Sequence, residues 1–109
     1  MTKIFISYHN GNIVSVDCKN HAGYADSGED IVCAGISSIT QTAVLGVKHI
    51  AKAKHNVKID EKQGSLHLEL LEDEFSQNFK DAQVVLCTML CGLKDLEKQY
   101  PKYLKVEVK

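Results

Sequence analysis

The sequence predicts an α+β fold in which two helices pack on a mostly antiparallel sheet, with the element order ββαββαβ. Short segments with a hydrophobic period of two alternate with two longer segments whose apolar residues recur every three or four positions. Turn-forming residues join four of the short segments in pairs, which indicates hairpins. Sheets of this kind bury one face against helices, so we expect a layer of helices on the sheet.

The first two strands are predicted at Lys3 to Tyr8 and Ile13 to Cys18, where apolar and polar residues alternate. The connection between them contains Asn10-Gly11, which is the strongest short hairpin signal. A segment of glycine, acidic and small residues then extends from His21 to Asp30 and predicts a loop.

The first helix is predicted from about Cys33 to about Lys54, with Asp30 placed to cap its start. Val57 to Asp60 and Ser65 to Leu71 form a second predicted hairpin around Gly64. The second helix is predicted from about Ser76 to Gln99, since Pro101 cannot continue it. Its apolar stripe consists of Phe79, Ala82, Leu86, Met89, Leu90, Leu93 and Leu96. Lys102 to Val108 alternates again and predicts a final strand.

Length and composition predict one globular domain that spans residues 1–109, with 44% hydrophobic and 25% charged residues. The formal net charge of -1 gives no electrostatic footprint for a phosphate backbone, so we expect no direct nucleic acid binding. The longest apolar run, Val84 to Leu93, is shorter than a membrane span, and no secretion signal precedes the first strand. We therefore expect a cytoplasmic protein without membrane contact.

Four cysteines are expected to be free thiols, because a cytoplasmic chain with its own core needs no disulfide. Cys87 and Cys91 are interpreted as small buried residues on the second helix. The histidines show no metal-ligand spacing, so no metal and no cofactor is predicted.

The chemistry is expected between Asn20 and Ser38, in the segment NHAGYADSGEDIVCAGISS. Cys33 lies near a predicted helix start, where the partial positive charge of free N–H groups lowers a thiol pKa. His21 could act as the general base and acid for this thiol. The alternative is a buried cysteine and a surface histidine without a catalytic role.

Four further roles are suggested by position. Asp30 could either orient the imidazole or serve only as the helix cap. The backbone N–H groups of Cys33 and Ala34 are candidates for an oxyanion site, and Ser37 shares the helix face of the thiol. Tyr24 could pack on a substrate, although a lone loop aromatic is more often incidental.

Within this segment, His21-Ala22, Gly28, the run from Asp30 to Gly35, and Ser37 resemble the signature of the ribosomal-processing cysteine protease family, Prp. The resemblance extends over essentially the whole chain. It implies a homodimeric protease that removes the N-terminal extension of the bacterial large-subunit ribosomal protein number twenty-seven. His21 and Cys33 match the family's catalytic pair, and Asp30 and Ser37 match its supporting positions.

The same resemblance implies that the loop with Gly23 and Gly28 closes over substrate. One hypothesis is that the acidic residues Asp26, Glu29 and Asp30 help to attract a substrate region that combines aromatic and basic residues. The alternative, which is more common for such a run, is a solvated acidic loop. Asn20 departs from the family, which usually has glycine before the catalytic histidine. Asparagine also tolerates a left-handed backbone, so we expect the loop geometry to be retained.

Two other classes of function fit the residues alone. The chain could be a non-enzymatic ribosome-associated binding or assembly factor, because a fold does not determine function. It could also be a thiol redox sensor in which Cys18 resolves an oxidised Cys33.

Overall fold

A computed structural model describes residues 1–26 and 30–109 of the chain. The strands are β1 (Thr2–His9), β2 (Asn12–Lys19), β3 (His55–Asp60), β4 (Ser65–Leu70) and β5 (Leu104–Val108). The helices are α1 (Ile31–Leu45) and α2 (Gln77–Gln99), and a π-helical segment, Gly46–Ala51, continues α1. The predicted fold class and element order are confirmed.

The five strands form one sheet in the order β3-β4-β2-β1-β5. β1 pairs in parallel with β5, and the other three pairings are antiparallel. Asn10 and Gly11 both adopt positive φ, at 52° and 78°, as the tight turn of a two-residue hairpin requires. Because β2 pairs with β4 through Cys18↔Leu66, the end of β2 and the β3–β4 turn lie side by side.

The core lies between the sheet and the two helices, which contact each other. α2 contributes six of the seven residues predicted as its buried stripe, from Phe79 to Leu93, and Leu96 packs at the edge. Ser76 caps this helix by accepting a hydrogen bond from the Phe79 N–H at 3.1 Å. The prediction that Cys87 and Cys91 are buried is wrong, because both lie on the exposed side of α2.

The boundaries of α1 differ from those predicted. The helix begins at Ile31 rather than near Cys33, because the cap at Asp30 also orders the two residues before Cys33. Helical backbone ends at Ala51, since Lys52 adopts a left-handed conformation with φ of 54°. The final strand also begins later than predicted, at Leu104.

One helical stretch, Ile31–Ala51, is long and apolar enough to cross a membrane by length and composition alone. This stretch supplies core residues, among them Val32, Ile36 and Val47, that pack beneath the sheet. Core helices of soluble proteins satisfy the same criterion. The apolar run noted in the sequence, Val84 to Leu93, belongs to the other helix.

Candidate active site

The structure brings the two predicted catalytic side chains together. His21 follows β2 and Cys33 lies in the first turn of α1, with Nδ1 of the imidazole 4.0 Å from the Cys33 Sγ. The imidazole is exposed, whereas the thiol is partly buried. Catalytic hydrogen bonds are commonly long before substrate binds, so this spacing suits proton transfer between the two groups.

The other ring nitrogen of His21 contacts the backbone of the β3–β4 turn. Nε2 lies 2.8 Å from the carbonyl oxygen of Lys62. A carbonyl can only accept a hydrogen bond, so Nε2 carries the proton. In the neutral ring, Nδ1 is then unprotonated and faces Cys33 as a proton acceptor. This contact could not be predicted from residue types, because a backbone carbonyl is present at every residue.

Asn20, which immediately precedes His21, has a left-handed backbone conformation. Asn20 adopts a φ of 70°, and its carbonyl accepts a hydrogen bond of 3.1 Å from the hydroxyl of Thr2. Asparagine enters this left-handed region more readily than other residues with a side chain. Asn20 therefore fits this loop geometry without a glycine.

The Cys33 sulfur is held by the backbone of the neighbouring loop. The Ala22 N–H donates to Sγ at 3.0 Å. Burial raises the pKa of the Cys33 thiol, the amides of Ala22 and Gly23 oppose that increase, and the negative charge of Asp30 adds to it. A helix start alone would lower the pKa of this thiol, and burial outweighs that effect here. A protonated thiol needs a base, and His21 is the base within reach.

Asp30 is the cap of α1 and an anchor for the loop. One carboxylate oxygen accepts from the Cys33 N–H at 2.9 Å, and the other accepts from the Tyr24 and Ala25 N–H groups at 2.9 and 3.3 Å. Burial alone would raise the pKa of this carboxyl, but the backbone N–H groups outweigh burial and lower it. Of the two roles considered, the contacts support the cap, since His21 is oriented by Lys62 instead.

The predicted oxyanion donors are already engaged. The Cys33 N–H donates to the Asp30 side chain, and the Ala34 N–H donates to the Asp30 carbonyl at 3.0 Å. The expectation that these two amides bind a substrate oxygen is wrong for this structure, because both complete the helix cap. The amides directed at the sulfur are those of Ala22 and Gly23.

An open cavity of about 610 Å³ surrounds the pair and has the size of a typical ligand site. Ser37, Gly23 and Asp26 line it, and Ser37 and Asp26 are exposed. Gly28 and Glu29, which were also assigned to the substrate loop, lie outside the described residues. The cavity is also lined by two further acidic residues, Asp60 at the end of β3 and Glu61 in the β3–β4 turn.

Tyr24 packs against the C-terminal part of the chain. Its ring meets those of Tyr100 and Tyr103 edge-on, with centroids 5.7 and 5.1 Å apart. Such aromatic contacts hold Tyr24 against the residues that follow α2. The sequence suggested only an incidental or substrate-facing ring, because the three tyrosines meet only in the folded chain.

Comparison with known proteins identifies the family. A model of the family described as cysteine protease Prp matches residues 1–105. The chain belongs to the cysteine protease Prp family. Relatives named ribosomal processing cysteine protease Prp are 27% identical over 99 residues in Staphylococcus aureus and 30% identical over 98 residues in Bacillus subtilis. These alignments cover 91% of this chain and 90% of the S. aureus protein, and 90% of this chain and 88% of the B. subtilis protein.

Crystal structures of an essential ribosomal processing protease Prp from S. aureus share the fold. One contains a covalently linked product peptide and superposes with a TM-score of 0.90 at 26% identity. The other contains a substrate peptide and gives a TM-score of 0.85 at 25% identity. Both similarities cover 100% of each chain. As a Prp family member the protein is a cysteine protease, which confirms the predicted enzyme class, so a non-enzymatic factor is not proposed.

Proposed function

We propose that this Prp protein removes the N-terminal extension of the bacterial large-subunit ribosomal protein number twenty-seven, with Cys33 as nucleophile and His21 as general base and acid. The observation that carries the proposal is the 4.0 Å approach of His21 Nδ1 to Cys33 Sγ at an open cavity. The names of the S. aureus and B. subtilis relatives, which refer to ribosomal processing, support the substrate class.

The first half of the reaction forms a thioester. Nδ1 of His21 takes the thiol proton, and the Cys33 thiolate attacks the carbonyl carbon of the scissile bond. The tetrahedral intermediate collapses when its C–N bond breaks, and the leaving amine takes the proton from His21. The N-terminal part of the substrate is then bound to Cys33 as a thioester.

The second half restores the enzyme. A water molecule gives one proton to His21 and attacks the thioester carbonyl. The C–S bond then breaks, the N-terminal peptide leaves as a carboxylic acid, and the Cys33 sulfur regains the proton from His21. No other side chain has to change its protonation state.

The oxyanion requires donors other than the amides of the helix cap. In the resting site the Ala22 N–H donates to the Cys33 sulfur. When sulfur bonds to the substrate carbon, negative charge moves to the oxygen on that carbon, one bond away from the atom that the amide contacts at rest. We assign the amides of Ala22 and Gly23 to this oxygen.

Substrate attraction is assigned to the acidic rim. The carboxylate of Asp30 is occupied by backbone N–H groups, whereas Asp26 is exposed at the cavity. Exchange of Asp26 for asparagine should raise KM at low salt and have less effect at high salt, because ionic strength screens exposed charges. An unchanged KM at low salt would refute this role.

The substrate assignment is tested with a peptide that spans the extension and its cleavage site, beside a peptide of the same composition in scrambled order. The parent protein, kept in reducing buffer, should cut the extension peptide at one bond and leave the scrambled peptide intact. Cys33→Ala should cut neither peptide. Failure to cut the extension peptide, or equal cutting of both peptides, would overturn the proposed substrate.

Homodimer formation and a cytoplasmic location belong to the same proposal and rest on the family resemblance. Light scattering over a concentration series tests the first. A mass of one chain, 12.1 kDa, at every concentration would reject the dimer. Fractionation of the source cell tests the second, and recovery outside the cytoplasm would reject that location.

A further inference from the structure

The turn between β3 and β4 lies against the imidazole of His21 and contacts the ring nitrogen that faces away from Cys33. It contributes the carbonyl of Lys62, 2.8 Å from Nε2, and it places Gly64 beside the backbone that leads into His21. The pairing of β2 with β4 brings this turn to the site, although it lies 41 residues from His21 in sequence.

Gly64 occupies a position that admits no side chain. Its φ is +62°, and a Cβ there would lie 2.9 Å from the carbonyl carbon and oxygen of Asn20 and 3.0 Å from His21 Nδ1. The Asn20 carbonyl cannot easily move away, because the buried Thr2 hydroxyl donates to it. A methyl group at Gly64 would therefore displace the imidazole itself.

The shape of the turn depends on Asp60. Its Oδ1 accepts from the N–H groups of Lys62 and Gln63 at 3.1 and 3.3 Å, and the Gly64 N–H donates to the Glu61 carbonyl at 3.3 Å. An aspartate that bonds the backbone two residues ahead is a common device for fixing a turn. Here it fixes the peptide that presents the Lys62 carbonyl.

We infer that this turn is a positioning element for catalysis: the Lys62 carbonyl holds His21 in the Nε2–H tautomer, Asp60 shapes the turn, and Gly64 leaves room for the ring. The inference rests on the proposed roles of His21 and Cys33. A buried carboxylate usually orients a catalytic histidine, and in this site a backbone carbonyl takes that part.

The test compares Gly64→Ala with Gly11→Ala. Both glycines have a left-handed backbone, but a Cβ at Gly11 meets no atom of residues 1–26 and 30–109 within 4 Å, so the control carries the same backbone strain away from the site. We expect Gly64→Ala to lower kcat on the extension peptide by about tenfold or more, with a much smaller change in KM, because misplacement of a catalytic group acts on the chemical step. Gly11→Ala should behave like the parent.

A second pair keeps the test valid if Gly64→Ala does not fold. Asp60→Ala removes the acceptor that shapes the turn, and Asp60→Asn retains an acceptor oxygen without the charge. A lower kcat in Asp60→Ala, together with a kcat near that of the parent in Asp60→Asn, would support a role for Asp60 in positioning His21. Equal losses in both, expressed in KM, would instead mean that Asp60 only attracts substrate.

Nitrogen-15 shifts of the His21 ring provide a readout independent of cleavage. The parent should show the Nε2–H tautomer, and Gly64→Ala and Asp60→Ala should show a mixture. If the parent cuts no peptide, the proposed function fails while these shifts still decide the inference. An unchanged tautomer in both variants, or equal kcat in Gly64→Ala and Gly11→Ala, would overturn it.

Discussion

Replacement of Asp30 separates its role as helix cap from a role in catalysis. Asp30→Ala removes the cap of α1 and the two hydrogen bonds that anchor the loop. Loss of an N-cap costs about 1 kcal/mol, and two exposed hydrogen bonds add roughly 0.5 kcal/mol each. The expected loss is about 2 kcal/mol, which lowers the Tm of a domain of this size by roughly 8 °C.

Asp30→Asn is the matched variant. Asparagine caps helices about as well as aspartate, so we expect it to lose less than half as much stability. It also removes the charge that raises the pKa of the Cys33 thiol. Alkylation of Cys33 by iodoacetamide at neutral pH should therefore be faster in Asp30→Asn than in the parent.

The pH dependence follows from the lowered pKa of Asp30. A group whose pKa is lower in the folded state stabilises the fold above its unfolded pKa, near 4, and loses that effect as the pH falls. The stability difference between the parent and Asp30→Ala should therefore shrink at acidic pH. Thermal unfolding and the rate of alkylation, followed by mass spectrometry, measure these effects. The cap interpretation fails if Asp30→Asn is as unstable as Asp30→Ala, or if its Cys33 reacts more slowly than that of the parent.

Three other predictions concern the fold. Burial, together with the negative charge of the ionised Cys33 nearby, raises the pKa of Cys18 to about 11, so the Cys18 thiol ionises at lower pH in the unfolded chain than in the folded protein. Between pH 9 and 11 the free energy of unfolding of the parent should fall by up to about 3 kcal/mol more than that of Cys18→Ala. Urea titrations in which both proteins lose the same free energy of unfolding over this pH range would contradict this. Gln83 accepts a hydrogen bond from the N–H of Ile13 and donates one to its carbonyl, each at 2.7 Å, so Gln83→Leu should cost about 2–4 kcal/mol. Equal urea midpoints for the parent and Gln83→Leu would contradict this. Gly46→Ala should destabilise the protein because the added Cβ would lie 2.8 Å from the Val85 side chain, whereas Gly92→Ala has room and should raise the free energy of unfolding by about 0.5–1 kcal/mol. Calorimetry that finds Gly46→Ala more stable than Gly92→Ala would contradict this packing.

The elements of the fold could be predicted because their patterns are local. Alternation in β1 and β2, the Asn-Gly turn and the stripe on α2 each depend on residues close in sequence. The exposure of Cys87 and Cys91 could not be predicted from residue type, since cysteine is often buried but these two lie away from the stripe.

The site was predictable in part. The pairing of His21 with Cys33 followed from the family resemblance, because spacing alone does not bring a strand end and a helix start together. The direction of the Cys33 pKa depends on burial and on the orientation of the Asp30 carboxylate, and neither is encoded in a local pattern. The Lys62 carbonyl and the Ala22 amide are backbone groups, so their contacts with His21 and Cys33 cannot be predicted from residue type.

The most direct test of the proposed mechanism is an acid-quenched single turnover of the extension peptide, with the protein analysed by intact mass and then by peptide mapping. We expect a transient adduct with the mass of the N-terminal product less water, linked as a thioester to Cys33. The adduct should form much more slowly in His21→Ala and not at all in Cys33→Ala. Cleavage that proceeds without an adduct, or that persists in Cys33→Ala, would contradict nucleophilic catalysis by Cys33.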